Sequence, residues 1–337
     1  MAHTCTPNKR VLILGASGGI GGEVARQLCN ADWQVLALRR ALDSQIEQRE
    51  GITWVRGDAM NRQDVLNAAR GCQVIVHAVN PPGYRHWGER VLPMVDNTIE
   101  AAIAECATIV LPGTIYNFGT DAFPLIAEDA PQNPHTRKGR IRVQMEQRLR
   151  DATALGARVI IVRTGDFFGP RAGNNWFSQG LITPGRPLKK VFKPEKAGTG
   201  HQWAFLPDVA RTMVALLNRR ETLEPFARFH MKGHWDEDGT QMTNAICRVA
   251  RRYGLDPKIS AFPWWQIFLL APLIPTLREL REMRYLWNLP VCLNADHLER
   301  TLGAEPHTPW DVAVEATLIG MGCIAHSPIA SVMAQNR

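Results

Sequence analysis

The chain has 337 residues, enough for one large domain or one and a half with a substantial core. Its 45% hydrophobic and 21% charged content is ordinary for a globular protein, and the net charge of +7 favours anionic ligands. The basic residues are scattered and form no helix-turn-helix, zinc-finger or RNA-binding signature, so no nucleic-acid partner is expected.

Val11 to Leu14 form a short apolar run of the kind shown by a buried parallel strand. The run ends in three glycines spaced GxxGxxG (Gly15, Gly18 and Gly21) and passes straight into a helical pattern. There Ile20, Val24 and Leu28 recur every four residues and give the helix one apolar face. Gly15 allows a sharp turn off the strand, Gly18 lets backbone approach a pyrophosphate, and Gly21 lets the helix pack close to the strand. The free N–H groups and positive dipole end of such a helix point at phosphates. Gly15, Ser17, Gly18, Gly19, Ile20 and Gly21 are therefore the expected cradle of a dinucleotide.

Further strands are expected at Gln34–Leu38, Ile52–Arg56, Val74–His77, Thr108–Leu111 and Arg158–Val162. Helices are expected at Gln63–Arg70, Arg90–Glu105 and Arg140–Leu155, the last stopped by Gly156. This alternation reads as βαβ units and an α/β fold, a Rossmann-type doubly wound parallel sheet over residues 8–165. Beyond 165 the pattern changes. Pro170–Gly200 is loop-rich, helices are expected at Asp208–Asn218, Asp238–Arg252, Asp296–Leu302 and Trp310–Gly320, and Trp264–Trp287 is rich in Trp, Leu and Pro. Residues 166–330 read as a smaller, mostly helical C-terminal substrate lobe, with segments returning to the first domain near 200–220.

Seven cysteines, an odd number with no CxxC pair, argue for reduced thiols in the cytoplasm. Met1–Pro7 holds no apolar stretch, so no signal peptide is expected. The longest apolar run, around Phe262 to Leu277, is broken by Pro263, Pro272 and Pro275 and is too short to span a bilayer; no membrane partner is expected. No HxxH, HExxH or carboxylate cluster suggests a metal, and no GxSxG elbow suggests a hydrolase.

Several segments in order strengthen the dinucleotide reading: Gly15–Gly21, Gly57-Asp58, His77-Ala78, Pro112–Tyr116, Pro124–Asp129, Arg163–Pro170 and Trp203–Ala210. Together they resemble the extended short-chain dehydrogenase/reductase superfamily, which includes nucleotide-sugar epimerases and dehydratases. The resemblance implies that Asp58 and Ala59 meet the adenine and that His77, Ala78, Val79 and Gly165 line the cofactor. NAD enzymes place an acidic residue at the end of the second strand; here that place holds Arg39-Arg40, which points to NADP, with NAD possible.

The superfamily's catalytic Tyr-x-x-x-Lys pair is absent. By the family's spacing, Lys138 stands at the tyrosine position and Arg142 at the lysine position, and no tyrosine lies between Tyr116 and Tyr253. Three readings stand. Lys138 serves as the acid, with Arg137, Arg140 and Arg142 pushing its proton off by like-charge repulsion. Alternatively Tyr116, after the fifth strand, supplies the phenol, as in the similar progesterone reductase-like branch. In the third reading the chain resembles the NmrA-like regulators and only senses the nucleotide. Arg142 would take over the ribose contact, and Thr114 would stand for the family's serine hydroxyl. Asp166, His201 and Trp203 are further polar or aromatic candidates, and Phe262, Trp264, Trp265 and Phe268 an aromatic cluster that caps the core or meets a second subunit. The expected function is an NADP-preferring oxidoreductase acting on a small-molecule carbonyl or activated alkene, with a homodimer as a possible assembly; epimerisation, which needs a phenolate base, is the further alternative.

Overall fold

The structure, a computed structural model, describes residues 9–81, 87–173, 175–272, 277 and 281–325. The segment Met1–Pro7, part of the run ending at Leu277 and the outer domain limits at 8 and 326–330 lie outside the described residues. Two compact units divide the chain: Met1–Gly165, Pro207–Lys232 and Cys292–Pro306 form the first, and Asp166–Leu206, Gly233–Val291 and His307–Arg337 the second.

In the first unit eight strands build one sheet: β1 (Arg10–Leu14), β2 (Gln34–Arg39), β3 (Ile46–Arg49), β4 (Ile52–Arg56), β5 (Val74–His77), β6 (Thr108–Gly113), β8 (Arg158–Arg163) and β12 (Phe226–His230). Their order is β12-β8-β6-β5-β1-β2-β4-β3, and every pair is parallel except β3 on β4. The central strands β1, β2, β5, β6 and β8 are mainly apolar because both of their faces are covered. Leu12, Leu14, Leu36, Ile75, Ile109 and Ile161 meet Val65 of α2 (Arg62–Ala69), Val91 and Val95 of α3 (Trp87–Glu105), and Met145 and Leu149 of α4 (Arg137–Thr153). The alternating residues Val11, Ile13, Val35, Ala37 and Val76 face the other way and are equally buried. On that side α1 (Gly19–Asn30) packs on β1 and β2, burying Val24, Ala25 and Leu28. Asn61 caps α2 through the amides of Gln63 and Asp64, and Thr136 caps α4 through that of Gly139. A two-residue pairing of β7 (Leu125–Ile126) with β15 (Cys292–Leu293) completes the unit's strands, and α5 (Leu206–Leu217) follows the second unit's first segment.

The second unit holds five short strands that its hydropathy pattern does not mark. β11 (His201–Phe205) lies between β9 (Asp166–Phe168) and β13 (His234–Asp236), and β10 (Lys190–Lys193) pairs in parallel with β14 (Lys258–Ala261). With the helices α6 (Gln241–Arg252), Trp264–Leu270 and Trp310–Gly320, they enclose a core of Phe168, Phe177, Trp203, Ile246, Trp287 and Leu318. Six described cysteines are free thiols, and among the described residues no helix is long and apolar enough to cross a membrane.

Asp236 is fully buried and accepts the amides of Gln241 and Met242, both at 3.0 Å, so it caps α6 from within the core. Asp236→Ala is expected to lower the unfolding free energy by about 1–2 kcal/mol in urea titrations. Asp236→Asn, which keeps an acceptor oxygen, loses less.

Candidate nucleotide-binding and catalytic site

The turn from β1 into α1 is built by contact. Gly15 sits at φ +95°, and a Cβ there would lie 2.6 Å from the Ala78 carbonyl carbon and 2.7 Å from the Val79 nitrogen. A Cβ on Gly21 would lie 2.3 Å from the Gly15 oxygen. Gly18 differs. It donates its amide to the Gly15 carbonyl at 2.9 Å, has extended backbone (φ −89°, ψ 171°), and a Cβ there meets only that carbonyl, at 3.3 Å. No side chain caps α1, so the first-turn amides of Gly19, Ile20 and Gly21 are offered to an anion along with the dipole's positive end. Ser17 is exposed on the same turn. A dinucleotide pyrophosphate fits this cradle.

Around it, each expected cofactor residue has a definite setting. Arg39 ends β2 half-buried, with its guanidinium 5.6 Å from the Trp54 ring centre and Arg56 as its register partner; Arg40 is exposed. Asp58 is pinned in the following loop, its amide donating to Asp64 Oδ2 (2.9 Å) and its Oδ1 accepting from the Met60 amide (3.0 Å). The Ala59 carbonyl accepts from Asn97 Nδ2 at 2.9 Å. His77 ends β5 buried, its Nδ1 2.7 Å from Thr98 Oγ1, whose own proton goes to the Met94 carbonyl. Burial, with the Arg142 charge nearby, pushes its pKa down to about 3 and keeps the ring neutral. Gly165 follows β8, its carbonyl accepting from Thr164 Oγ1 at 3.1 Å.

Thr114 and Tyr116, both half-buried, lie on the short 3-10 turn that leaves β6. The first turn of α4 packs onto it so closely that a Cβ on Gly139 would lie 2.2 Å from the Tyr116 carbonyl oxygen. The basic tract at the start of α4 therefore divides. Arg137 and Arg140 are exposed, whereas Lys138 is only 5% exposed. Arg142, one turn on, lies over the Trp87 ring at 5.1 Å, and Trp87 in turn donates Nε1–H to Asn80.

Behind Thr114 runs a partly buried polar chain that no sequence motif marks. Thr114 Oγ1 donates to Asn117 Oδ1 (3.3 Å), Asn117 Nδ2 to Gln132 Oε1 (3.2 Å), and Gln132 Nε2 to Glu146 Oε2 (3.1 Å). Glu146 also forms a buried ion pair with Arg163, whose other nitrogen lies 3.5 Å from His230 Nε2. His230 Nδ1 reaches the Ile126 carbonyl at 3.2 Å, and burial beside Arg163 pushes its pKa down to about 3. The carboxylate sets the direction of the chain. It can only accept, so Gln132 must donate to it, Asn117 to Gln132, and Thr114 to Asn117. Thr114 thus turns its proton inward and its lone pairs outward. Thr114 and Arg163 fall in segments that the resemblance marks; Asn117 and Gln132 carry no signal in the sequence.

In the second unit Asp166 and His201 come together, Nε2 to Oδ2 at 2.9 Å, and the His201 ring stacks on Trp287 at 3.9 Å. Trp203 is wholly buried beside them. Glu195, which the sequence did not single out, is buried nearby, and desolvation pushes its carboxyl up to about 7. Phe262 and Trp264 pack against Trp176, whereas Trp265 and Phe268 are exposed.

A parallel doubly wound sheet whose first strand turns into a helix over bare glycines defines a nicotinamide-dinucleotide-binding fold. The chain belongs to the NAD dependent epimerase/dehydratase family, whose model matches residues 11–230. It is similar to a 2-alkyl-3-oxoalkanoate reductase of Shewanella oneidensis (29% identity over 119 residues, 35% of this chain and 30% of the relative). It is also similar to the uncharacterized protein y4nL of Sinorhizobium fredii (25% over 182 residues, 48% of this chain and 51% of the relative). The matches span about a third and a half of those relatives' lengths. Among solved structures it shares its fold with MoeE5 in complex with UDP-glucose and NAD (TM-score 0.69, 17% identity, 92% of this chain and 98% of that one). The same holds for UDP-glucuronic acid 4-epimerase from Bacillus cereus (TM-score 0.70, 13% identity, 93% and 98%).

Two measurements follow from the buried groups. Glu146→Ala strands Arg163 in the core and is expected to cost about 3–5 kcal/mol in chemical denaturation, with Glu146→Ala/Arg163→Met recovering part of it. His77 and His230, charged in the unfolded chain below pH 6.5 but neutral when folded down to about pH 3, stabilise the fold fully above that window. As pH falls through it, the unfolded state binds the extra protons and each histidine removes up to about 1.4 kcal/mol per pH unit. Urea curves across the window should show that slope, and His230→Gln should flatten it.

Proposed function

We propose that the protein is an NADP-preferring oxidoreductase that reduces a small-molecule carbonyl or activated alkene with a non-standard acid. The observation that carries this reading is the burial of Lys138, alone of its basic tract, where α4 packs on the Thr114–Tyr116 turn. When bound, the nicotinamide supplies hydride to the substrate carbon. The chain's residues must then place a proton on the developing alkoxide or enolate. Thr114 is poorly suited to this, since its proton is committed to Asn117 and the Glu146 carboxylate behind it. Lys138 is the favoured donor, because giving up its proton removes a charge from a dry position. Tyr116 is the second candidate, on the facing turn. The outward lone pairs of Thr114 hold a donating hydrogen of the substrate or of Lys138.

For the cofactor, the Gly15–Gly21 turn with Ser17 and Ile20 holds the pyrophosphate, Asp58 and Ala59 the adenine, and His77, Ala78, Val79 and Gly165 the nicotinamide half. Arg142, steadied over Trp87, takes the ribose contact. Arg39, held against Trp54 beside Arg56 and Arg40, forks onto a 2′-phosphate and supports NADP over NAD. The relative named as a reductase of an oxoalkanoate favours a carbonyl substrate. Epimerisation is disfavoured because an arginine and a lysine stand where a phenolate base is needed. The cytoplasm, with reduced thiols, is the proposed location.

Arg39→Ala should raise the Kd for NADPH by about tenfold or more and leave that for NADH nearly unchanged; equal losses would take Arg39 off the 2′-phosphate. Loss of NADPH absorbance with a panel of 3-oxo acids, other ketones and enones tests the enzyme reading. Lys138→Met should slow turnover about 10²–10⁴-fold with cofactor binding retained. A larger loss in Tyr116→Phe would move the acid to Tyr116. NADPH binding with no consumption of any panel member would favour the nucleotide-sensing reading, for which the missing tyrosine speaks.

A further inference from the structure

The helix Trp264–Leu270 carries apolar surface that no core takes up. Trp265 is 67% exposed, Leu269 68%, and Phe268 and Leu270 40% each. Single exposed leucines are ordinary, but four large apolar side chains in one short helix form a patch. The helix is nonetheless held in place: Trp264 turns inward, donating Nε1–H to the Pro194 carbonyl at 2.9 Å and packing on Trp176. From Ile259 to Pro272 the sequence has no charged residue.

A second observation adjoins the patch. In the β10–β14 pair, Lys190 is the register partner of Lys258, so two ammonium side chains share one face side by side, a repulsive arrangement. Both are exposed, and among the described residues neither forms an ion pair. Lys189 and Lys196, on either side of β10, are exposed as well. The strand pair leads into the helix: the Phe262 amide donates to the Lys193 carbonyl at 3.0 Å, three residues along from the Lys190–Lys258 pair. Arg284 adds a cation at the apolar edge, 4.8 Å from the Phe268 ring centre.

We propose that this face of the second unit docks on an anionic lipid surface, with Trp265, Phe268, Leu269 and Leu270 entering the headgroup–acyl boundary and Lys189, Lys190, Lys196 and Lys258 meeting lipid phosphates. An anionic bilayer supplies an apolar layer bordered by a layer of negative charge, which matches an apolar helix adjoining a strand pair that carries lysines. Tryptophan and arginine at the apolar margin suit that interface. A second copy of the chain fits worse, since a two-fold contact would bring lysine strip towards lysine strip. The contact is superficial: a seven-residue helix does not span.

Co-sedimentation of the full chain with vesicles of phosphatidylcholine and phosphatidylserine, roughly three to one, and with phosphatidylcholine alone, tests this. Binding is expected on the anionic vesicles, weakened by salt, and much weaker on the neutral ones. Lys190→Gln and Lys258→Gln should each lower the partition coefficient about fivefold. Phe268→Ser/Leu269→Ser should abolish binding while its urea curve overlays that of the unchanged chain. No binding to the anionic vesicles, or binding indifferent to Phe268→Ser/Leu269→Ser, overturns the proposal. So does a dimer in size-exclusion chromatography that Leu269→Ser splits, since the face would then belong to a second copy.

Discussion

Where β1 ends, its backbone passes so close to the Ala78–Val79 peptide at the end of β5 that no side chain fits between them. Gly15 meets that constraint with a positive φ as well, so the chain turns at once and starts α1 directly above the sheet's edge. The anion cradle is a consequence: amides of the first turn face outwards, uncapped, beside strand ends carrying Arg39, Asp58 and His77. His77, held neutral by burial, adds no charge of its own next to the cradle. Gly18 is an open position flanked by the closed ones at Gly15 and Gly21.

The catalytic half is organised by a different kind of constraint, the direction of hydrogen bonds. A buried carboxylate paired with a buried guanidinium is costly to assemble and costly to break, so the Glu146–Arg163 pair is a fixed reference in the interior. Through Gln132 and Asn117 it dictates which way the Thr114 hydroxyl points. The hydroxyl is thereby left as an acceptor on its outer side, which is why the proposed function looks to Lys138 or Tyr116 for the proton.

Much of the first unit was legible. Apolar runs such as Val11–Leu14 and Val74–His77, buried on both faces, alternate with amphipathic helices, and glycine spacing marks the turn that matters. β3 and β12 escaped because neither has an uninterrupted apolar run: β3 is an edge strand of sequence IEQR, and β12 breaks its apolar residues with Arg228. The second unit's strands are three to five residues long and lie amid prolines and glycines, too short for either periodicity to register. Burial of Lys138 between exposed arginines could not be read from a basic tract of uniform appearance. The Asn117–Gln132–Glu146 chain joins three segments that only the fold brings together. In the run after Phe262, a nearly unbroken series of apolar residues gives no sign of which side chains pack inward, as Trp264 does, and which stay exposed, as Trp265 and Leu269 do.

The account rests on the β1–α1 turn as the seat of a nicotinamide dinucleotide, and Gly18 isolates that claim. Its backbone suits any residue and its surroundings admit a side chain with a small adjustment at the Gly15 carbonyl, so Gly18→Val should fold with a urea midpoint close to that of the unchanged chain. Isothermal titration of both proteins with NADP⁺ and NAD⁺ is then decisive. The account predicts heat of binding for the unchanged chain, stronger with NADP⁺, and its loss in folded Gly18→Val. No heat from the unchanged chain with either coenzyme, or undiminished binding by Gly18→Val, would contradict it.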